Sequence, residues 1–401
     1  MTIADRPTSA APPIAVDDEV SVLFVDDDAM LLQGLRRMLH PMRREWNMTF
    51  AGSGKEALSH MEKEPVDVVV SDMRMPEMDG AELLCKVGEI NPAAIRIVLS
   101  GFAENEAVMK TVGPSHQYLA KPCDADHLIQ TIKRSLDLRH RLGDPRIKAF
   151  VAELGSLPAL PHVYHDFMAA IADPTATIDT IASVIERDIG LAATVLKLTN
   201  SAYFCLPTKI TDCRQAVRLL GLDTMRSLVA SACVFRSYEG SPRVRDRLQS
   251  LCDKAMATAA SARRIAMENN LSPHQVEQAC CAGLLSHVGI LMLLAEHPDC
   301  CSKAEEIVAR EGISPLEAER RAIGANHAEA GAYLLSLWGF SDPVIEAVLH
   351  HHDPDQECPD AIDDALGAVR AAHTEVTAGN EGACAACIVK PPKNDPLASA
   401  S

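Results

Sequence analysis

The sequence predicts a doubly wound α/β domain with a five-stranded parallel sheet, followed by an all-helical domain. Three observations predict it. Through about residue 138, short apolar strands alternate with segments whose apolar residues recur at helical spacing, which implies a parallel sheet covered on both faces. After about Arg139 the strand signals stop, and almost everything from Phe150 to Thr377 reads as helix. The chain has 401 residues, 47% of them hydrophobic, enough for two or three domains with real cores.

Each element has its own signal. Ser21–Val25 (SVLFV) is the first strand, and Leu31, Leu32, Leu35 and Met38 then follow helical spacing. Thr49–Ala51 is a weaker strand before a helix over Lys55–Met61. Val66–Val70 (VDVVV) is a valine-rich strand before a helix over Ala81–Val87. Ile95–Ser100 (IRIVLS) is the fourth strand, followed by a short helix over Asn105–Thr111, and Gln117–Ala120 is the last strand. Leu128, Ile129, Ile132 and Leu136 define an amphipathic closing helix. The charged stretch Arg139–Lys148, with Gly143, Asp144 and Pro145, suits a linker. In the helical half, Ile178, Ile181, Ile185, Ile189 and Leu196 hold one apolar stripe. No internal repeat is visible. The last stretch, Gly379–Ser401, is small, polar and Pro-containing, as disordered tails are.

Composition narrows the function. The net charge of -17 argues against a chain that works by holding nucleic acid phosphates or an anionic membrane surface. The N-terminus has no positive start followed by an apolar core, so no signal peptide is expected. The longest apolar run, Ala279–Ala295, is short for a membrane span and is interrupted by Ser286 and His287, which favours a buried core helix. Thirteen cysteines lie scattered, as in a reducing cytoplasm. Cys384 and Cys387 form one C-x-x-C without a second half-site.

In a doubly wound sheet, function gathers at the carboxyl ends of the strands. There stand Asp26, Asp27 and Asp28 after strand one, Asp72 after strand three, Ser100 at strand four, and Lys121 after strand five. Crowded carboxylates repel when ionised, and a hard cation such as Mg²⁺ relieves that. A lysine can hold a phosphoryl oxygen as a point charge, and a hydroxyl can bond another. The chemistry on offer is phosphoryl transfer to a carboxylate. Asp28 alone reads as a solvated cap. "GSGK" at Gly52–Lys55 is not a phosphate loop, because Glu56 follows the lysine and Thr49 replaces the leading glycine; it opens the second helix.

"LFVDDD", "VVVSDMRMPEMDG", "IVLSG" and "YLAKP" occur in order, and over roughly residues 20–138 the chain resembles the response-regulator receiver family, with its flavodoxin-like fold. The resemblance implies that Asp72 accepts the phosphoryl group. It implies that Asp27 ligates Mg²⁺ directly, Asp26 assists through water, and the Arg74 backbone carbonyl completes the protein ligands. Ser100 would contact the phosphoryl group, Lys121 would form the ion pair, and Tyr118 would be the aromatic switch. The Lys121–Pro122 bond is often cis in that family.

The helical half raises a second question at "AGLLSHVGIL" (Ala282–Leu291), where a Ser-His pair interrupts an apolar run. The frame resembles the "LLHDIGK" helix of the HD phosphohydrolases. Ser286 stands for the metal-binding histidine, His287 for the aspartate, and Ile290 for the lysine. An aspartate can bridge two metals; a neutral imidazole offers one nitrogen and no charge. His327 lies in "NHAEAGAYLL". His350, His351 and His352 precede Asp353 and resemble the "HHE" of the HD-GYP subfamily, without a following GYP. His287, His327 and His351 thus mark a relict metal site, expected to serve as hydrogen-bonded core residues, although three imidazoles can hold zinc.

"LPALPHV" (Leu157–Val163), "IASVIERDIGLAATVLKLTNSAYF", "AVRLLGLDTMRSLV" and "HAEAGAYLLSLWGFSDPVIEAVLHHH" resemble the HDOD domain, an all-helical relative without the HD catalytic set. "RDIG" at Arg187–Gly190 departs from the family pattern. Asn200 and Ser201 read as cap and turn, Gly221 as a helix end, and Trp338 as a core anchor. The domain boundaries follow: 1–19 a flexible start, 20–138 the receiver, 139–149 the linker, 150–378 the HDOD output domain and 379–401 the tail. The expectation is a cytoplasmic phosphorelay protein whose receiver controls a non-catalytic interaction domain. Its expected partners are a sensor histidine kinase or phosphotransfer protein and a downstream protein. Direct nucleic acid contact and a membrane span are not expected, and a homodimer is allowed. Two rivals stand beside it: a phosphorylation-regulated, metal-dependent phosphohydrolase acting on a cyclic dinucleotide, and a regulator that contacts DNA.

Overall fold

The computed structural model describes residues 20–100, 115–121, 123–154, 156–200, 209–222, 224–225, 235–352 and 362–377. The expected helix at Asn105–Thr111, the Lys121–Pro122 bond, Ser201, Asp353, the C-x-x-C and both chain ends lie outside the described residues. Two compact units emerge: Met1–Leu157, Thr194–Arg236 and Tyr333–Ser341 in the first, and Pro158–Ala193, Ser237–Ala332 and Asp342–Ser401 in the second.

The first unit holds the predicted sheet. β1 (Val20–Val25), β2 (Trp46–Ala51), β3 (Val68–Asp72), β4 (Ile95–Ser100) and β5 (Gln117–Ala120) pair in parallel in the order β2-β1-β3-β4-β5. This is the flavodoxin-like order, in which the chain reverses its winding between β1 and β3. All five β3 residues are buried, which explains an apolar run instead of alternation. β3 starts two residues later than the valine pattern predicts. Asp67 is the reason: its carboxylate accepts a hydrogen bond from the Ser21 N–H (3.0 Å) and one from Arg139 (2.5 Å), which holds it at the mouth of the strand.

The first three α-helices of this unit start on side-chain caps. Asp28 accepts from the Met30 and Leu31 N–H groups and caps α1 (Ala29–Met38), as its reading as a cap predicts. Ser53 caps α2 (Gly54–Met61), so "GSGK" is a helix start. Asp79 caps α3 (Gly80–Ile90). The next described helix, α4 (Ala125–Arg141), runs five residues past Leu136. Asp144 then caps a helix over Pro145–Glu153, with the proline at its first position. The stretch expected as a linker is therefore helical on both sides of Leu142–Asp144. The charges that suggest a linker are the basic last turn of one helix and the acidic cap of the next.

The second unit is built of helices. Pro242–Glu268 packs against Pro273–Leu285 and Ala365–Thr377, and Asp342–His350 packs against the last two. Gly283 permits the first crossing, since a Cβ there would lie 2.9 Å from the Ala259 Cα. The stretch Pro273–Glu296 is long and apolar enough to cross a membrane, but 89% of that window is buried in the fold. It is not one helix: Pro273–Leu285 and Val288–Glu296 are separate, with Ser286 and His287 at the break. Gly289 in the second piece lies so close to the His327 carbonyl that any side chain would collide with it. The helical half also holds two-residue strands, Pro158–Ala159 and Arg236–Ser237, where helix alone is expected.

One buried carboxylate organises the entry to this unit. Asp188, in "RDIG", is 1% exposed and accepts from the Leu160 N–H (2.8 Å) and the Leu191 N–H (2.9 Å). It caps the helix Ile189–Thr199 and anchors the "LPALP" segment at once. Burial raises its pKa, and these backbone hydrogen bonds oppose that. Replacing Asp188 with Ala takes this acceptor from the N–H groups of Leu160, Leu191 and Gly190. The expected cost is about 2–3 kcal/mol, read as a lower Tm of the helical half. Asp188→Asn keeps one acceptor oxygen but turns an amide NH2 toward the other N–H, so it should recover only part of that loss.

Candidate functional site

Side-by-side β1 and β3 bring Asp26 and Asp72 together at the carboxyl edge of the sheet. Both residues are buried, at 3% and 8% exposure. Lys121, just past β5, donates to Asp26 Oδ2 (2.7 Å) and to Asp72 Oδ1. Asp72 Oδ2 accepts from the Arg74 N–H (2.7 Å), and Asp26 Oδ1 accepts from the Asp28 N–H (2.9 Å). Asp27 is exposed beside them. Ser100 ends β4 opposite Ala120, and Tyr118 pairs with Val98.

The loop that carries Asp72 is tightly made. Any side chain on Gly80 would collide with the Asp72 carbonyl oxygen, so only glycine lets α3 start there. Glu77, within the loop, adopts a left-handed φ of 66°. Burial raises the Asp72 pKa; Lys121 and the Arg74 N–H pull it down without cancelling the rise, and the Asp26 charge adds to it. Burial opposes the Lys121 charge, yet its bonds to Asp26 and Asp72 outweigh that and raise its pKa. Two buried carboxylates with one ammonium leave a negative, all-oxygen pocket, the donor chemistry that hard divalent cations select.

The same unit ties the sheet to residues of the helical half. Gln117, on β5, donates to the Ser336 carbonyl (2.5 Å) and to the Ser135 hydroxyl (3.2 Å). Arg96, on β4, donates to the Ala152 carbonyl (2.8 Å), and His116 Nε2 lies 2.6 Å from the same oxygen. Lys197 sits 4.5 Å from the centre of the Trp338 ring; burial drops its pKa to about 7. Trp338 is 3% exposed and serves as a core anchor, as expected.

In the second unit, His287, His327 and His351 converge, and two further histidines join them. Ring centres lie 5.1 Å apart for His287–His351, 3.9 Å for His351–His352 and 4.5 Å for His352–His373. One nitrogen from each of His287, His351, His352 and His373 falls within 4.8 Å of all the others. His327 is held apart: Nδ1 meets Glu319 Oε2 at 2.8 Å, and Nε2 meets His352 Nε2 at 3.0 Å. Burial, then the neighbouring imidazoles, push the His351 pKa well below the ordinary range, so its ring is neutral. The sequence reading misses His352 and His373. The run of three histidines points to the first, but only packing brings the second, on the helix Ala365–Thr377, to the same point.

The raised Asp72 pKa gives a prediction. A carboxyl whose folded pKa exceeds its unfolded value contributes stability at low pH, and this is lost as pH rises through the folded pKa. At neutral pH the ionised Asp72 therefore destabilises the cation-free fold. In a chelator, Asp72→Asn should raise Tm rather than lower it. Adding Mg²⁺ should raise Tm of the unaltered protein more than that of the variant.

Comparison with known proteins identifies both halves. The response regulator receiver domain matches residues 22–133, and the HDOD domain matches residues 157–354. An uncharacterized protein of Treponema pallidum is 25% identical over 247 residues, 61% of this chain and 47% of that protein. The hydrogenase transcriptional regulatory protein HoxA of Cupriavidus necator is 35% identical over 130 residues, 32% of this chain and 26% of that protein. The chain spans under half the length of these relatives. Among solved structures, the MmoQ response regulator of Methylococcus capsulatus covers 55% of this chain and 84% of its own, at 21% identity and a TM-score of 0.45. An HDOD domain protein of Geobacter sulfurreducens covers 62% and 79%, at 24% identity and a TM-score of 0.34. With a receiver domain and an HDOD domain matched in order, the chain belongs to the response regulators of two-component signalling.

Proposed function

We propose that the chain is a phosphoaspartyl switch whose receiver controls a non-catalytic HDOD interaction domain. The observation that carries this is the geometry at the β1–β3 edge, where Asp72 and Asp26 share Lys121. Asp72 accepts the phosphoryl group from a sensor histidine kinase or a phosphotransfer protein. Asp26, Asp27, Asp72 and the Arg74 carbonyl would hold Mg²⁺, which would supply neutralisation of the charge on a transferring phosphoryl group. Lys121 is released from one carboxylate to pair with a phosphoryl oxygen. Ser100 and Tyr118 respond to the new group, and β5 carries the change. Gln117, one residue before Tyr118, hydrogen-bonds the Ser336 carbonyl, which gives the change a path into the HDOD sequence.

The output acts by contact with a protein. The HD metal pair is replaced by Ser286 and His287, and among the described residues no carboxylate belongs to the four-histidine group. A two-metal hydrolytic centre needs a bridging anionic oxygen that this group lacks. The charge of -17 favours a protein partner over DNA. The working site is cytoplasmic.

Acetyl phosphate with Mg²⁺ should add one phosphoryl group per chain, counted by intact mass. Asp72→Ala should take up none, and a labelled variant would sink the assignment. Neither form should hydrolyse bis(p-nitrophenyl) phosphate or a cyclic dinucleotide; turnover lost on substituting His287 would restore the phosphohydrolase reading.

A further inference from the structure

We propose that His287, His351, His352 and His373 form a closed site for one borderline divalent transition-metal ion of the zinc class. The proposal goes beyond the switch above and does not depend on phosphorylation of Asp72.

Four imidazole nitrogens from three separate stretches of chain meet within 4.8 Å. All-imidazole sets suit Zn²⁺, Cu²⁺, Ni²⁺ and Fe²⁺, whereas Mg²⁺ and Ca²⁺ need oxygen. Metal–nitrogen bonds of about 2.1 Å put tetrahedral donors roughly 3.4 Å apart, so the rings draw inward on binding.

Hydrogen bonds around three of the four rings fix which nitrogen carries the lone pair. The Ser286 hydroxyl donates its proton to the Gly283 carbonyl (2.9 Å), so it accepts from His287 Nδ1–H (2.8 Å). The lone pair of His287 is then on Nε2. His351 Nδ1 lies 2.7 Å from the Val348 carbonyl and must donate to it. His351 Nε2 therefore carries a lone pair, yet it is buried and has no hydrogen-bond partner. An unmet buried acceptor is a cost that a metal removes. With Glu319 ionised, His327 Nδ1–H donates to it, His327 Nε2 accepts from His352 Nε2–H, and the His352 lone pair is left on Nδ1. Glu319 and His327 thus stand to His352 as a carboxylate–histidine relay stands to a ligand. Ser286, which replaces the HD histidine, sets a tautomer here instead of binding metal.

The test uses the full chain without an affinity histidine tag, stripped with chelator and kept in excess Mg²⁺. Co²⁺ should bind at one ion per chain, give a tetrahedral visible band, and be displaced by equimolar Zn²⁺. His351→Ala and His373→Ala should abolish the band or weaken binding at least ~100-fold. Glu319→Gln should weaken it roughly 10–100-fold with the band shape retained. Asp72→Asn should change nothing. X-ray absorption of the zinc-loaded unaltered protein should show an imidazole-nitrogen shell, a reading that needs no variant to fold. The proposal is overturned by absence of the band, by a band unchanged in His351→Ala, or by a shell containing sulfur, which would mark a cysteine site.

Discussion

Two buried carboxylates share one ammonium at the carboxyl edge of the sheet, and much else in the first unit follows from that charge imbalance. The strand order makes β1 and β3 neighbours, so Asp26 and Asp72 cannot avoid each other. Lys121 offsets one of the two charges and is held by both. The remaining negative charge gives a hard cation its reason to bind, and burial, with the Asp26 charge adding to it, leaves Asp72 with a raised pKa. The backbone is shaped to keep this arrangement: Gly80 lets α3 start against the Asp72 carbonyl, and the Arg74 N–H fixes the second carboxylate oxygen.

The second unit gathers the opposite chemistry. Its buried polar centre is imidazole nitrogen, a borderline donor, where the first is carboxylate oxygen, a hard one. Where the frame it resembles carries a histidine and an aspartate, this chain carries Ser286 and His287, and His287 joins a group of imidazoles. Close helix contact supports that group. Gly289 and Gly331 let the helices Val288–Glu296 and His327–Leu337 approach closely, which seats His327 behind His352.

The receiver site was legible because its residues sit at strand ends, where a short apolar run announces both the strand and its terminus. Asp26, Asp72 and Lys121 meet through backbone topology alone. The bounds of β3 were less legible, because Asp67 breaks a valine run by bonding the neighbouring strand, which no local pattern reveals. In the helical half, His287, His327 and His351 could be placed by their frame, but His373 sits in the bland sequence "AVRAAH" and reaches the cluster through helix packing. Asp188 looked like a departure from pattern and is instead a double cap. Long-range hydrogen bonds from side chain to backbone carry no periodic signal, so such roles stay hidden in the sequence.

The bond from Gln117 to the Ser336 carbonyl joins positions 219 residues apart. On the ribosome, at about 5–20 residues per second, Ser336 follows Gln117 by roughly 10–40 s. For that interval β5, the outer strand of a five-stranded sheet, lacks its partner from the later chain. The nascent protein thus passes through a stage in which the buried Gln117 amide has no Ser336 carbonyl to bond, and synthesis of the C-terminal half supplies it.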